Sequence, residues 1–133
     1  MYLVMEADLI KHVKNDRFAK HVGIQLIKVS KGYALVELTL NENHLNGIDK
    51  VQGGVIFTLA DYAFGAASNS QGFITVGINV NISYYKSPAG KVITAEAREI
   101  SAQNKICGYE IKVLDEDGSL IAHVNGLGYR KLK

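Results

Sequence analysis

The chain holds a single cysteine, Cys107, and a single proline, Pro88, in 133 residues. A lone cysteine cannot form an internal disulfide, which fits a reducing compartment and a cytoplasmic location. The proline lies in the turn Lys86-Ser-Pro-Ala-Gly90 and interrupts no predicted element. No run of about 18 apolar residues is present, so no membrane-spanning helix and no membrane partner is expected. Met1 to Lys20 lacks a basic end followed by an apolar block, so it does not read as a secretory leader. Charge of one sign is also lacking: 15 Lys and Arg stand against 13 Asp and Glu, a net charge of +2. That is too small to argue for nucleic acid, yet it would not repel a phosphate-bearing small molecule. Histidine is scarce, with His12, His21, His44 and His123 at no metal-ligand spacing, so no metal is expected. Nucleophile-elbow, Walker A and dinucleotide-binding glycine motifs are absent, and no cofactor is implied.

What is present fits one globular domain across residues 1–133, with 47% apolar and 21% charged residues. The segment 1–20 carries Leu9, Ile10, Val13 and Phe18 at amphipathic-helix spacing, with a break near Asn15-Asp16. It predicts a short N-terminal helix outside the core. A hairpin follows, with strands at about 24–30 and about 32–40 around Lys31-Gly32. Residues 41–49 are rich in turn formers and read as a loop. Residues 73–85 alternate most clearly. Ile74, Val76, Ile78, Val80, Ile82 and Tyr84 share one predicted face, and Thr75, Gly77, Asn79, Asn81, Ser83 and Tyr85 the other. That second face is polar but uncharged. It reads either as an ordinary solvated face or as one that meets a ligand or a second subunit. Three more strands follow, at about 91–101, 105–114 and 119–131, the last two joined by Asp115-Glu-Asp-Gly118. Gly126-Leu-Gly128 within the last strand reads as close packing. One apolar helix on a mostly antiparallel sheet is an α+β layered fold, curved if the sheet wraps the helix.

That helix is predicted over 53–68, where Ala60, Ala63, Ala66 and Ala67 favour helix and Asn69-Ser-Gln-Gly72 ends it. Within it stands one acid, Asp61. No Lys or Arg lies three or four positions away, so no ion pair within the helix is open to it. A carboxylate in an apolar helix is costly unless it is paired or used. At the helix start, Gly53 and Gly54 give either a loop-to-helix turn or a backbone donor site for an anion or a polarised carbonyl. Asn46 and Gln52 flank this region as hydrogen-bonding candidates. Gly53 and Asp61 are eight residues apart, roughly 12 Å along a helix and roughly 80° around it. A base and an oxyanion donor serving one carbonyl must both lie about 3 Å from it. One helix cannot supply both. Either one residue is structural, or a two-fold dimer brings Asp61 from the second copy.

The segments His44-Leu-Asn46, Gln52-Gly-Gly54 and Leu59-Ala-Asp61 resemble, in order and spacing, the pattern of hotdog-fold acyl-CoA thioesterases of the PaaI type. Asn81-Ile-Ser-Tyr-Tyr-Lys-Ser-Pro-Ala89 is similar to that family's strand and Pro-Ala turn. The resemblance covers roughly residues 20–131. It implies a hotdog fold, in which a curved antiparallel sheet wraps one long helix, and a homodimer or a homotetramer built of two dimers. It implies an acyl-CoA substrate, with Asp61 attacking the thioester or activating water, the Gly53 N–H polarising the carbonyl, and Asn46 positioning the carbonyl or water. Gln52 stands where the family usually has His, and does not titrate. The resemblance further nominates Gly54, Tyr62, Phe64, Thr75 and Lys105 as substrate-binding, with Gly77 as an alternative occupant of the Thr75 position. Lys86, Lys91, Arg98 and Arg130 are further cations for CoA phosphates. A thioester hydrolase is the leading reading. A non-catalytic acyl-CoA binder, a dehydratase and a structural assembly protein are the alternatives. The 53–68 helix holds no His, which counts against the dehydratase.

Overall fold

The computed structural model describes residues 11–131. In chain order they form α1 (Lys11–Lys14), α2 (Arg17–Val22), β1 (Gln25–Ser30), β2 (Tyr33–Thr39), a 3-10 turn (Glu42–His44) and α3 (Gly53–Ser68). β3 (Ile74–Tyr84), β4 (Val92–Ala102), β5 (Ile106–Leu114) and β6 (Leu120–Lys131) follow. The six strands make one antiparallel sheet in the order β1-β2-β4-β5-β6-β3. α3 lies on one face of this sheet and contacts every strand.

The long helix occupies the residues its composition predicts. Leu59, Ala60, Ala63, Phe64, Ala66 and Ala67 are buried against the sheet. Their three- and four-residue spacing makes the wide stripe of a core-facing helix, and the alanines let it sit close to the strands. Phe64 reaches furthest in. Its ring packs beside Tyr109, with centroids 5.6 Å apart, over a floor of glycines. A methyl placed on Gly126 would stand 3.1 Å from the ring, and one on Gly77 3.3 Å away. The glycines of β6 are therefore close packing, as the sequence predicts.

The N-terminal helix breaks at the expected place. Asp16 caps α2, its carboxylate accepting from the Ala19 N–H at 3.0 Å, and Gly23, at φ 100°, ends it. Leu9 and Ile10 lie outside the described residues. Val13 is buried, but Phe18 does not join it and is 61% exposed.

One expectation fails in β3. The register between β3 and β6 shifts between Gly77 and Asn79, so the strand carries a bulge there. An extra residue in one strand reverses which side chains face the core. Before the bulge Thr75 faces inward, with Ile74 and Val76 exposed; after it Val80 and Ile82 pack on the core. The unbroken alternation of the sequence hides this switch. Ile74, Val76 and Ile78 are apolar but outward, each more than 40% exposed.

Behind the C-terminal end of α3, Glu99 gathers a half-buried network. Its carboxylate accepts from Arg130 at 3.1 Å, from Gln71 at 2.9 Å and from the Tyr109 hydroxyl at 3.1 Å. These bonds tie the loop after α3 to β4, β5 and β6.

Candidate active site

The loop before α3 is closed by its own backbone. An isolated bridge pairs Leu45 with Val51, and Asp49 takes a left-handed φ of 61°. The Asn46 side-chain oxygen accepts from Ile48 N–H at 2.9 Å and Lys50 N–H at 3.1 Å. That oxygen is occupied, so the amide Nδ2 is the group Asn46 can offer a ligand. His44 is buried and structural. Its Nδ1 accepts from the Asn41 N–H at 3.0 Å, and its Nε2 donates to the Val22 carbonyl at 2.8 Å. This fixes the tautomer and ties the loop to the end of α2. Among the described residues, no group of His, Cys, Asp and Glu could hold a metal ion.

Gln52 is the N-cap of α3, and its side-chain oxygen accepts the Gly54 N–H. The Gln52 carbonyl accepts from Val55 N–H at 2.9 Å. The Gly54 donor is therefore engaged within the protein, contrary to a direct ligand role for it. The Gly53 N–H has no intrahelical acceptor, as the first residue of a helix never does. No hydrogen bond to it is formed among the described residues. It is a free donor at the positive end of a 16-residue helix. The Gly53 carbonyl meanwhile accepts from the Tyr84 hydroxyl at 3.0 Å, a contact the sequence reading missed.

Asp61 lies on the opposite side of α3 from the sheet, exposed in the protomer. The burial problem posed by the sequence is thus eased in a single copy, because the helix turns this position outward. The carboxylate makes no hydrogen bond and no ion pair among the described residues. Loss of solvation pushes its pKa above the ordinary carboxylate value, and the negative charge of nearby Asp16 adds to that. Asp16 is a second residue the sequence reading missed. The sequence marked it only as part of the break between two helical segments, not as a neighbour of Asp61.

The remaining nominees separate. Tyr62 is buried, and burial followed by the charge of Asp16 raises its phenol pKa. Phe64 is 2% exposed over the β6 glycines, so it is core and not the wall of an open pocket. The Thr75 hydroxyl donates to the Ser68 carbonyl at 2.9 Å, while its N–H donates to Asn69 at 2.9 Å. Thr75 therefore fastens β3 to the far end of α3 from Gly53. Gly77, its alternative, lies under Phe64. Lys105 sits beside Arg130, which pairs across the sheet with Thr75. The nine residue steps of β3 from Thr75 to Tyr84 span roughly 30 Å, so Lys105 and Gly53 of one protomer cannot share a ligand atom. Arg130 is buried against Glu99 at 3.1 Å, and Lys86 pairs with Asp115 at 3.1 Å. Neither is a free cation. Arg98 pairs with Glu96 at 3.2 Å. Lys91 and Lys105 are exposed and form no ion pair among the described residues. A cleft of about 590 Å³ opens between α2 and the start of α3, lined by Phe18, Val22, Asn43 and Val55 among others.

A free N–H at a helix start can stabilise an oxygen that gains negative charge, and an unpaired carboxylate of raised pKa can take up a proton or attack carbon. Comparison with known proteins gives the family of the chain. The thioesterase superfamily model matches residues 50–122, which contain Gln52, Gly53 and Asp61. A protein of Archaeoglobus fulgidus is 38% identical over 118 residues, 88% of this chain and 77% of its own length. The acyl-coenzyme A thioesterase PaaI of Escherichia coli is 35% identical over 119 residues, 88% of this chain and 84% of its own. The solved E. coli PaaI structure superimposes with a TM-score of 0.92 at 29% identity, covering 99% of this chain and 97% of that one. The chain therefore belongs to the thioesterase superfamily and is a thioester hydrolase with the hotdog fold, of the PaaI type.

Proposed function

We propose that the protein hydrolyses an acyl-CoA thioester to the free acid and CoA, at a site shared by two copies of the chain. One observation carries the shared site. The free Gly53 N–H and the unpaired Asp61 lie eight residues apart on one regular helix, roughly 12 Å along its axis. That separation is too large for one carbonyl, so Gly53 of one protomer works with Asp61 of its partner. β3 supports the pairing, since its outer edge is unpaired in the protomer over 11 residues without proline. Homodimers, or tetramers made of two dimers, follow.

In the reaction the thioester oxygen meets the Gly53 N–H, and Asn46 Nδ2 holds the same oxygen or the water. Asp61 takes the proton from an attacking water, whose oxygen bonds to the carbonyl carbon as the C–S bond breaks, and the proton then passes to the leaving thiolate to give CoA and the free acid. In the covalent variant Asp61 itself attacks, the thiolate leaves, and a water then cleaves the acyl–Asp61 anhydride, releasing the free acid, restoring the carboxylate and supplying the proton for the thiolate. The cleft beside Phe18 and Val55 has the size for a medium-chain or aromatic acyl group. Lys91 and Lys105 are the exposed cations for phosphates, Lys105 reaching the site of a partner rather than its own. Gln52 favours a second reading. With its side chain engaged as a cap and no titrating group in the place of the family's His, the chain would bind acyl-CoA without turnover.

Free-thiol release from a panel of acyl-CoAs, with wild type and Asp61→Asn, tests the proposal. Release by wild type that the variant loses supports hydrolysis through Asp61. Binding without release by either supports the binder, and equal release from both would remove Asp61 from the mechanism. A fully active monomer in sedimentation would refute the shared site.

A further inference from the structure

The start of α3 places two adjacent glycines where one N–H must keep its direction. Glycine peptides turn at little cost, so this is a soft point in an otherwise rigid helix. The peptide between Gln52 and Gly53 is held by its carbonyl, which accepts from Val55. The next peptide, between Gly53 and Gly54, is gripped at both ends. Its N–H donates to the Gln52 side chain, and its carbonyl accepts from the Tyr84 hydroxyl at 3.0 Å. The Tyr84 ring also lies flush on Gly53, where an added methyl would stand 3.3 Å from the hydroxyl oxygen and 3.4 Å from Cζ. Tyr84 is the last residue of β3, the edge strand. Through it the helix start is tied to the sheet.

We infer that Tyr84 is a positioning residue: with Gln52 it clamps the Gly53–Gly54 peptide and so restricts rotation about the Gly53 Cα, on which the free N–H of the adjoining Gln52–Gly53 peptide turns. A carbonyl oxygen has two lone pairs. Tyr84 takes the one that the helix ladder leaves, so its bond competes with nothing in α3. The hydroxyl reaches no reacting atom and acts through the backbone. The clamp also gives Gln52 a task that needs no titration, namely holding the second end of the same peptide. This inference rests on the role given to Gly53 under Proposed function, and its test separates the two.

The test uses Tyr84→Phe, which keeps the ring on Gly53 and removes only the hydroxyl. The expected result is a kcat about fivefold lower, the worth of one neutral hydrogen bond, with KM within about twofold and an unchanged melting profile. Gln52→Ala in the same background should lower kcat by less than the product of the single effects, because both side chains hold one peptide. Amide hydrogen exchange by NMR reads the clamp without turnover: Tyr84→Phe should speed exchange at Gly54 and leave the middle of α3 unchanged. Faster exchange with no thiol release from wild type would uphold the clamp and reject the hydrolase reading. Unchanged exchange at Gly54, or an unchanged kcat in an active enzyme, would overturn the clamp as a positioning device.

Discussion

Gly126→Ala adds one methyl where the structure leaves room for none. Its Cβ would stand 3.1 Å from Cε2 and Cζ of Phe64 and 3.2 Å from Cδ2. The ring cannot retreat, because Gly77 lies against its Cε2 on another side and the tilted Tyr109 ring packs beside it. Either α3 lifts from the sheet or β6 bends. Overpacking of this kind costs about 1–3 kcal/mol. Replacing a strand glycine by alanine returns about 0.5–1 kcal/mol of chain entropy. The net loss is about 0–2.5 kcal/mol, centred on about 1 kcal/mol, or about 4 °C in melting temperature for a chain of this size. Phe64→Leu in the same protein shrinks the ring and should recover most of the loss, giving a favourable coupling in a double-mutant cycle. Urea unfolding of the four proteins supplies the numbers. A Gly126→Ala that stabilises, or a double-mutant cycle with no coupling between Gly126→Ala and Phe64→Leu, would refute the packing argument. The same series tests the core assignment of Phe64: Phe64→Leu should move stability while leaving KM unchanged across acyl groups, and a KM change that depends on the acyl group would return it to the substrate pocket.

Two other perturbations concern carboxylates. In the proposed mechanism Asp61 must be ionised, and its pKa is raised, so activity should fall as pH drops through a value above the ordinary Asp range of about 4. Asp16→Asn keeps a capping oxygen for α2 but removes the second cause of that shift, so the acid limb of kcat/KM should move to lower pH; a fixed limb would refute the coupling. Burial pushes the Asp115 carboxyl up, but N–H bonds from Ala89, Glu116 and Gly90 and the Lys86 ammonium outweigh it and hold the group well below the usual range. Its stabilisation is present above about pH 4 and lost as pH falls toward the depressed value. Asp115→Asn should therefore destabilise by about 1–3 kcal/mol at neutral pH, by loosening the 86–91 turn, with a gap to wild type in urea that narrows as pH drops below about 4. A gap that stays constant across that range would count against the argument.

The sequence by itself determined the elements, because their signals are local. The alanine-rich run gave α3 its limits at Gly53 and Ser68. Gly32 and Gly118, both at positive φ, mark the hairpin turns that Lys31-Gly32 and Asp115-Glu-Asp-Gly118 announce. The eight-residue spacing from Gly53 to Asp61 already posed the choice between a second copy and a structural role for one of the two residues, since helix geometry fixes that distance whatever surrounds it. Only the tertiary structure decided which side chains meet. The bulge between Gly77 and Asn79 arises from pairing with β6, so the apparent single face of β3 could not reveal it. Phe64 became core because glycines from β3 and β6, about 13 and 62 positions away in sequence, leave the space its ring fills. Tyr84 met Gly53 across 31 residues, a contact set by how the edge strand lies against the helix start. Asp61, the oddity of the sequence, turned outward because burial depends on which face of α3 the sheet covers, and that face is chosen by packing over the whole helix rather than by any one residue.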